Sequence, residues 1–529
     1  YEELGQRELK GVGQHRLYKV HARRPRQAIL RGSYSVLSPF IGRAEQLAQA
    51  LEQISSWAGS ATADAGGSSA AGHRSRSTLM VITGEQAIGK SRFALELVRR
   101  LPGVLPSSVP LVHATAHCSE YATPQTFTAE VAQIAGLSAA NLEQRWAELC
   151  GLAGRSKGAE YAERQRRHLP LLAYVLNAPG IDTSGIRQSS PQAFETGCRL
   201  ALRACCDLAA LEGGQLVLVI EDLQWLGGLR PLLAELLQQP EIERPLIVVA
   251  TARPEFDSSA EALHRLLGRA EGDAFEARND GNGAARADHN LRQTHRVIDL
   301  PLLSAGQGEQ LIQQLLPGVK LPAELTAELH EKACGLPYYY EEFARMLADS
   351  GMVREVVPAG AAVPPGAEIV AATVPGRYRL DQQSAELAMP DDIRMLLLGR
   401  LDMLSPDCKE LALRASVLGR SFSLELMARI DEQLELETGE WLPRGLAELE
   451  QAGILVSGGA GQFMFEHVLT REAAYDSLLK SNRRLVHGAA ADALAADLTP
   501  GSPAEVALLP QLVDHLERAG RQAEAHDRC

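Results

Sequence analysis

The sequence predicts an α/β core built on a parallel sheet in three layers, followed by a long region that is almost entirely α-helical. In the first half of the chain, short apolar runs bounded by turn residues alternate with helical patterns; they span residues 79–83, 109–114, 216–220 and 246–250. Buried strands of a parallel sheet have this uninterrupted apolar form. After about residue 300 such runs almost vanish and helical patterns replace them.

The composition, 45% hydrophobic and 22% charged, is typical of an ordinary globular protein. A chain of 529 residues exceeds one hydrophobic core, so we expect roughly three or four domains. The net charge of -13 argues against chain-wide attraction to nucleic acid or to an anionic membrane, and we expect neither partner. No apolar run approaches the roughly 20 residues of a membrane helix, and the cysteines form no CxxC pair, so we expect a cytoplasmic protein with reduced thiols.

Residues 84–91 have the sequence GEQAIGKS and lie between an apolar strand-like run and an amphipathic helical pattern. This is the Walker A pattern GxxxxGKS in its proper context, so the core is predicted to be a P-loop NTPase that binds ATP with Mg²⁺. Lys90 would reach the β- and γ-phosphates, and the Ser91 hydroxyl would join the Mg²⁺ shell. The predicted binding residues in this segment are Gly84, Glu85, Gln86, Ala87, Ile88, Gly89, Lys90, Ser91 and Arg92.

Two adjacent carboxylates, Glu221 and Asp222, follow the buried-type strand 216–220 and form a Walker B pattern. At the carboxyl end of a parallel strand, one would bind the metal shell and the other would polarise water. The sequence leaves open which does which, so we assign both as catalytic and, with Ser91, as metal ligands. Arg253 follows the next strand and is predicted to contact γ-phosphate charge, with a structural salt bridge as the alternative.

The helical region contains one hairpin pattern. Residues 454–456 and 463–465 are apolar and flank a Gly-rich turn, and helical patterns at 391–404 and 409–418 precede them. Ser405-Pro406 is a plausible N-cap and N1 pair for the second of these helices. Helices followed by a hairpin indicate a winged-helix-like domain.

Together these features resemble the STAND branch of AAA-like signalling ATPases, in particular the ATPase region behind class III adenylate/guanylate cyclase domains of bacterial multidomain proteins. An N-terminal motif reads Pro39-Phe-Ile-Gly-Arg-Ala-Glu45. Walker B continues to Trp225 as EDLQW, close to the family's EDLHW, with Gln224 in place of His and Leu226-Gly227 in place of Ala-Asp. Gly335-Leu-Pro337 is similar to the family's GxP motif in the helical lid.

The resemblance implies that the GxP motif and the winged-helix elements touch nucleotide, which adds Pro337 to the predicted binding residues. They would hold an ADP-bound closed state, with ATP favouring an open one. His467 either corresponds to a residue that senses nucleotide state or is a capping or packing histidine. The helices around residues 506–525 look like the start of a TPR-like repeat array, which would bind a protein or small-molecule activator.

Residues 1–20 resemble the last hairpin of a class III nucleotide cyclase domain, most clearly at Leu9-Lys10-Gly11. The chain starts at Tyr1 without methionine and enters directly into a patterned segment, so we expect it to be a piece of a longer chain. Cyclase activity is therefore expected only of the parent chain.

The predicted domains are a cyclase-domain tail at 1–20, a linker at 21–37, the P-loop ATPase core at 38–300, a helical lid with GxP motif and linker at 301–390, the winged-helix-like domain at 391–465, and a helical linker with the start of TPR-like repeats at 466–529. The predicted function is an ATPase switch in signal transduction, attached to a cyclase, with ATP and ADP as ligands. Two alternatives remain: an ATP-dependent transcriptional regulator and a scaffold that binds nucleotide without hydrolysis. Residues 405–450 have no basic run, which argues against the regulator.

Overall fold

The structure is a computed structural model. It describes residues 2–9, 13–19, 40–63, 77–105, 111–118, 122–212, 215–237, 246–257, 295–319, 321–349, 353–356, 377–380, 393–436, 441–459, 461–496, 498 and 503–528. Strands β1 (Glu2–Leu9) and β2 (Gly13–Lys19) pair as an antiparallel hairpin. The sequence resemblance of this hairpin to a cyclase domain stays a prediction.

A five-stranded parallel sheet forms the centre of the first half of the chain. Its strands are β3 (Thr78–Thr83), β4 (Leu111–His117), β5 (Gln215–Glu221), β6 (Ile247–Ala252) and β7 (His295–Asp299). They lie in the order β4-β5-β6-β3-β7. Because all the strands run in the same direction, the loops that follow β3, β5 and β6 meet at one edge of the sheet.

Alternate residues of each central strand belong to different hydrophobic cores, as expected for a sheet covered on both faces. Leu79 and Val81 of β3 pack in one core with most of the helices that follow β4. Met80 and Ile82 pack in the other core with Phe93 and the helix that precedes β3. The predicted three-layer α/β core is therefore confirmed.

The helices of this part are α1 (Ala44–Ala63), α2 (Lys90–Arg100), α3 (Pro124–Val131), α4 (Leu142–Lys157), α5 (Ala159–Arg166), α6 (Leu169–Val175), α7 (Ser184–Arg187), α8 (Pro191–Leu211) and α9 (Arg230–Leu237). No apolar run in the sequence predicts β7. This strand lies at the edge of the sheet and directly follows a polar segment, and only Ile298 among its residues is buried. A strand that buries one side chain lacks the apolar run by which the other four were recognised.

Three helices form the lid: α10 (Ala305–Leu315), α11 (Ala323–Ala333) and α12 (Pro337–Asp349). The GxP motif is the turn between the last two. Gly335 has a φ of 72°, and a Cβ at this position would lie 2.6 Å from the carbonyl oxygen of Leu303, so only glycine fits without strain. Pro337 then begins α12 at a position where its missing N–H costs no hydrogen bond.

A short hairpin of β8 (Val353–Val356) and β9 (Arg377–Leu380) follows the lid. The sequence pattern predicts only one hairpin after residue 300, and the structure contains this second one as well. Each strand has four residues, and a segment rich in Pro, Ala and Gly separates them. Four residues are too few for period-2 alternation to stand out from a linker.

The next unit has the winged-helix-like arrangement that the sequence predicts. It contains α13 (Ile393–Asp402), α14 (Pro406–Val417), β10 (Ser421–Ser423), α15 (Leu424–Gln433), α16 (Leu442–Gln451), β11 (Leu455–Gly459) and β12 (Gln462–Phe465). The strands form an antiparallel sheet in the order β10-β12-β11. Ser405 caps α14 by accepting a hydrogen bond from the amide of Cys408.

The last described helices are α17 (Val468–Ser477), α18 (Lys480–Ala496), α19 (Pro503–Ala519) and α20 (Gln522–Arg528). Their buried residues, such as Ala490 and Leu512, share one hydrophobic core with Leu446 of the winged-helix unit. The helical region after the α/β core is therefore confirmed, whereas the domain boundaries stay predictions. Among the described residues, no helix is long and apolar enough to cross a membrane.

Candidate functional site

The loop of residues 84–91 curls between β3 and α2. Ala87 and Gly89 both adopt left-handed backbone conformations, with φ angles of 65° and 88°. Such conformations turn successive amide N–H groups towards a common point and create an anion-binding concavity. Gly89 is also the N-cap of α2 and has no side chain to cap the helix. The first N–H groups of α2 are therefore available for a phosphate.

Lys90 is buried in this loop. Its Nζ donates hydrogen bonds to the carbonyl oxygens of Gly84 and Glu85, both at 2.8 Å. Burial lowers the pKa of Lys90 to about 8, and the negative charge of Asp222 opposes this shift. An ammonium group has three donors, so the third can bind a phosphate oxygen while the other two hold the loop.

The two Walker B carboxylates lie in different environments. Glu221 ends β5, is 2% exposed, and its Oε2 accepts a hydrogen bond from Ser91 Oγ at 3.1 Å. Asp222 has left-handed φ and ψ angles of 59° and 48°, which turn its side chain towards a cleft next to the loop. Its amide donates to Thr251 Oγ1 at 3.1 Å. Glu221 thus faces the predicted metal-binding hydroxyl of Ser91, and Asp222 faces the space where the terminal phosphate of a bound nucleotide would lie.

Gln224 connects the ends of β5 and β6. Its Nε2 donates to Asp222 Oδ1 at 3.0 Å, and its Oε1 accepts from the amide of Arg253 at 3.2 Å. The side chain of Arg253 lines the same cleft as Lys90 and Asp222. Gln224 therefore orients the second carboxylate, although it stands where the STAND pattern has histidine.

The lid and the winged-helix unit form the opposite wall of the cleft. The ring of Tyr338 stacks on that of His467 with 3.8 Å between centroids, and its hydroxyl forms a 3.2 Å hydrogen bond with Thr470 Oγ1. His467 Nδ1 accepts a hydrogen bond from the amide of Leu469, so this histidine caps α17 and lines the cleft at the same time. Burial lowers the pKa of His467 to about 3, which keeps the ring neutral.

An ion-pair network joins the lid to the winged-helix unit beside this wall. Arg400 Nη1 lies 3.2 Å from each carboxylate oxygen of Glu342, and its Nη2 donates to the carbonyl oxygens of Ala452 and Gly453 at 2.6 Å each. Burial raises the pKa of the neighbouring Glu466, while Arg345 and Arg400 oppose the shift.

The structure brings most of the predicted site residues together. The residues that line the cleft are Gln86, Ala87, Gly89, Lys90, Ser91, Arg92, Asp222, Arg253, Pro337, Tyr338, Glu341, Glu342, Arg345, Arg420, Glu466, His467 and Val468. Four predicted residues do not line it. Gly84 and Glu85 serve as acceptors for Lys90, Ile88 is part of the hydrophobic core, and Glu221 lies behind Ser91. The assignments to catalysis and binding stay predictions.

Several residues near the site were not predicted, among them Arg420, Arg43 and His117. Arg420 precedes β10, and its Nη1 lies 2.5 Å from Asp222 Oδ2. Arg43 is buried against the loop, where a Cβ on Gly89 would lie 3.1 Å from its Nη1, and its Nε has no hydrogen-bond partner among the described residues. His117 ends β4 opposite Glu221. Burial lowers its pKa, but Glu130 and Glu221 raise it, and the net shift is upward.

Of Arg420, Arg43 and His117, only Arg43 belongs to a motif in the sequence, the N-terminal motif of residues 39–45. His117 lies beyond the apolar run that marked its strand, and a polar residue at a strand end is not distinctive. Arg420 is 198 residues from its partner Asp222 and has no motif of its own.

Comparison with known proteins supports a nucleotide-binding site. Residues 69–249 match the AAA ATPase domain family. This segment is an AAA ATPase-type nucleotide-binding module. No protein with a curated function matches the chain.

Several solved structures have a similar arrangement. The Aeropyrum pernix ORC1 protein in complex with DNA is 14% identical, the alignment covers 83% of this chain and 94% of that chain, and the TM-score is 0.37. The Aeropyrum pernix ORC2 protein in ADPNP-ADP complexes is 12% identical, with 86% of this chain and 97% of that chain covered and a TM-score of 0.35. Drosophila ORC bound to DNA is 11% identical, with 87% of this chain and 95% of that chain covered and a TM-score of 0.32. At these identities and TM-scores we infer no function from the similarity.

Proposed function

We propose that this chain is an ATP-binding, slowly hydrolysing switch, in which the nucleotide state of the cleft controls the position of the lid and the winged-helix unit. The carrying observation is the position of Lys90 and of the Ser91–Glu221 pair. Lys90 and Ser91 line the cleft at the end of the phosphate loop, Glu221 lies behind Ser91, and the other wall of the cleft belongs to the helical region. A nucleotide bound there would contact both walls, so its phosphates would influence how they dock.

The residues divide into roles by their surroundings. The loop amides and Lys90 bind phosphate oxygens, and the Ser91 hydroxyl with Glu221 would hold Mg²⁺ and its waters. When bound, Mg²⁺ would neutralise charge on the β- and γ-phosphates. Asp222 is the acceptor for a proton of the attacking water, because its carboxylate faces the cleft while that of Glu221 does not. Arg253 contacts the developing charge on the γ-phosphate.

A signalling switch needs a domain whose activity it controls, the output, and a site that receives the signal, the input. The resemblance of residues 1–20 to the end of a class III cyclase domain supports an attached cyclase as the output in a longer cytoplasmic chain. The helices after residue 466 are the proposed site for a protein or small-molecule activator. Two arginines of the winged-helix unit, Arg414 and Arg420, are paired with Asp431 and Asp222, which does not favour the transcriptional-regulator alternative.

The test measures binding of labelled ATP and Mg²⁺-dependent phosphate release. We expect Lys90→Ala to abolish ATP binding, because the buried charge that binds the phosphates is lost. Glu221→Gln and Asp222→Asn should retain binding and lower hydrolysis on the order of 10²-fold. Lys409→Ala is the matched control, because this lysine forms an exposed ion pair with Asp402.

Unchanged ATP affinity in the Lys90 variant would refute the proposed site. If the wild-type chain binds ATP but releases no phosphate with Mg²⁺, the scaffold alternative holds and the hydrolytic roles of Glu221 and Asp222 are wrong.

A further inference from the structure

An arginine from the winged-helix unit reaches into the ATPase core. Arg420 Nη1 lies 2.5 Å from Asp222 Oδ2, and the side chains of the two residues are 17% and 24% exposed. At this burial a charge pair is screened less by solvent than an ordinary surface salt bridge. This ion pair is a direct contact between the helical region and the Walker B residue Asp222.

The Asp222 carboxylate is held from two sides. Its Oδ1 accepts a hydrogen bond from Gln224 Nε2 within the core, and its Oδ2 accepts one from Arg420. Its amide is fixed by Thr251. To take a proton from water, a base must direct an oxygen to within hydrogen-bond distance of that water. With a donor on each oxygen, the orientation of Asp222 is set by its protein partners.

Arg420 is fixed to its own unit. Its carbonyl oxygen accepts a hydrogen bond from the amide of Phe465 at 2.9 Å, and it directly precedes β10, which pairs with β12. Phe422 of β10 is buried in the core of the winged-helix unit. The guanidinium therefore moves with this unit. If the unit withdraws from the ATPase core, Arg420 leaves Asp222 and only Gln224 still orients the carboxylate.

We propose that Arg420 is a positioning residue that occupies Oδ2 of Asp222 while the winged-helix unit is docked, so that this oxygen accepts a proton from the attacking water only after undocking. The inference rests on the proposed ATPase function and adds a means of regulating that site. The opposite role, in which Arg420 stabilises charge on the γ-phosphate, predicts that kcat falls when Arg420 is replaced.

Other contacts keep the unit docked when this ion pair is removed. Gln86 Nε2 of the phosphate loop donates to Glu472 Oε2 of α17, which directly follows the unit, at 3.4 Å. Arg400 of the unit also pairs with Glu342 of the lid. A variant of Arg420 should therefore release the carboxylate without separating the units completely.

The test compares the wild-type chain with Arg420→Gln and Arg420→Lys in steady-state ATP hydrolysis. We expect Arg420→Gln to raise kcat roughly tenfold and to change KM for ATP less than about twofold, because the carboxylate is freed while the phosphate-binding loop is intact. A tenfold change equals about 1.4 kcal/mol. Arg420→Lys, which keeps the charge, should lie close to wild type. Arg521→Gln is the matched control, since it removes an arginine that pairs with Asp492 and Glu524 in the C-terminal helices, outside the cleft.

A second measurement distinguishes release of the Asp222 carboxylate from unfolding of the winged-helix unit. Hydrogen exchange of the β12 and α17 amides in Arg420→Gln should rise moderately and stay well below that of an unfolded segment. In the double variant Arg420→Gln/Asp222→Asn the increase in kcat should disappear, because the base is absent.

The outcomes separate the two proposals. If the wild-type chain neither binds nor hydrolyses ATP, both fail. If it hydrolyses ATP and Arg420→Gln lowers kcat or leaves it unchanged with a folded winged-helix unit, the inference about Arg420 is wrong and the proposed function stands.

Discussion

The buried histidine pair between α18 and α19 should make the C-terminal helices sensitive to acid. His487 Nδ1 lies 2.7 Å from His515 Nδ1, and Tyr475 Oη lies 3.0 Å from His487 Nε2. The two histidines are 1% and 0% exposed. A hydrogen bond between two imidazole nitrogens needs one to donate and the other to accept, which requires that the acceptor is neutral.

Burial lowers the pKa of His487 to about 3, with His515 and Arg518 acting in the same direction and Asp514 opposing. Burial likewise lowers the pKa of His515 to about 4. Both values lie below the ordinary 6.5 of the unfolded chain. Between the folded-state and the unfolded-state pKa values, the unfolded state binds more protons than the folded state. The contribution of the two neutral histidines to stability is therefore fully present above about pH 6.5 and is lost as pH falls towards 4.

The magnitude follows from the same values. At pH 5 each histidine would cost about 2 kcal/mol, since one pKa unit is worth about 1.4 kcal/mol. Because the two sites interact and titrate as a pair, we expect a total loss of roughly 2–4 kcal/mol relative to pH 7.5.

Native-state hydrogen exchange of peptides from α18 and α19 at pH 7.5 and 5 measures this loss locally, after correction for the intrinsic exchange rate. The variant His487→Leu/His515→Leu removes both polar partners together and should abolish the pH dependence. His526→Leu replaces an exposed histidine and should leave it unchanged. Equal opening free energies at the two pH values in the wild-type chain, or the same pH dependence in the double variant, would refute the reasoning.

Two further predictions concern the lid and the winged-helix unit. Gly335→Ala should lower the thermal stability of the lid by about 1–3 kcal/mol, because the φ of 72° and the 2.6 Å approach to Leu303 strain the turn. The control Gly399→Ala has open space at a helical position and should not destabilise the protein. Equal effects of the two substitutions would contradict this prediction. Ser405→Ala should cost the winged-helix unit about 1 kcal/mol in urea unfolding through loss of the hydrogen bond from Cys408, and an unchanged midpoint would argue against the cap.

Much of the fold was accessible from local pattern. Four of the five sheet strands, the phosphate loop and the hairpin after residue 454 follow from apolar periodicity, from the glycine spacing of the loop and from turn residues. These signals act over a few residues and need no tertiary context. The strand β7 was missed because, at the sheet edge, it buries one side chain only.

The division of the acidic pair required the structure. The sequence places Glu221 and Asp222 next to each other at a strand end and cannot tell which one faces the metal-binding hydroxyl. The left-handed backbone of Asp222 turns the two side chains apart, and the hydrogen bond from Ser91 marks Glu221 as the inner one.

A P-loop core with a Walker B pair and a helical region after it can be inferred from the amino-acid sequence, because short, contiguous motifs encode those features. The residues that form the other wall of the cleft are evident only from the folded chain. Pro337, His467 and Arg420 meet the phosphate loop because the lid and the winged-helix unit fold back on the carboxyl edge of the sheet. Contacts across such separations, 198 residues for Asp222 and Arg420, depend on how whole units dock, which no local pattern specifies.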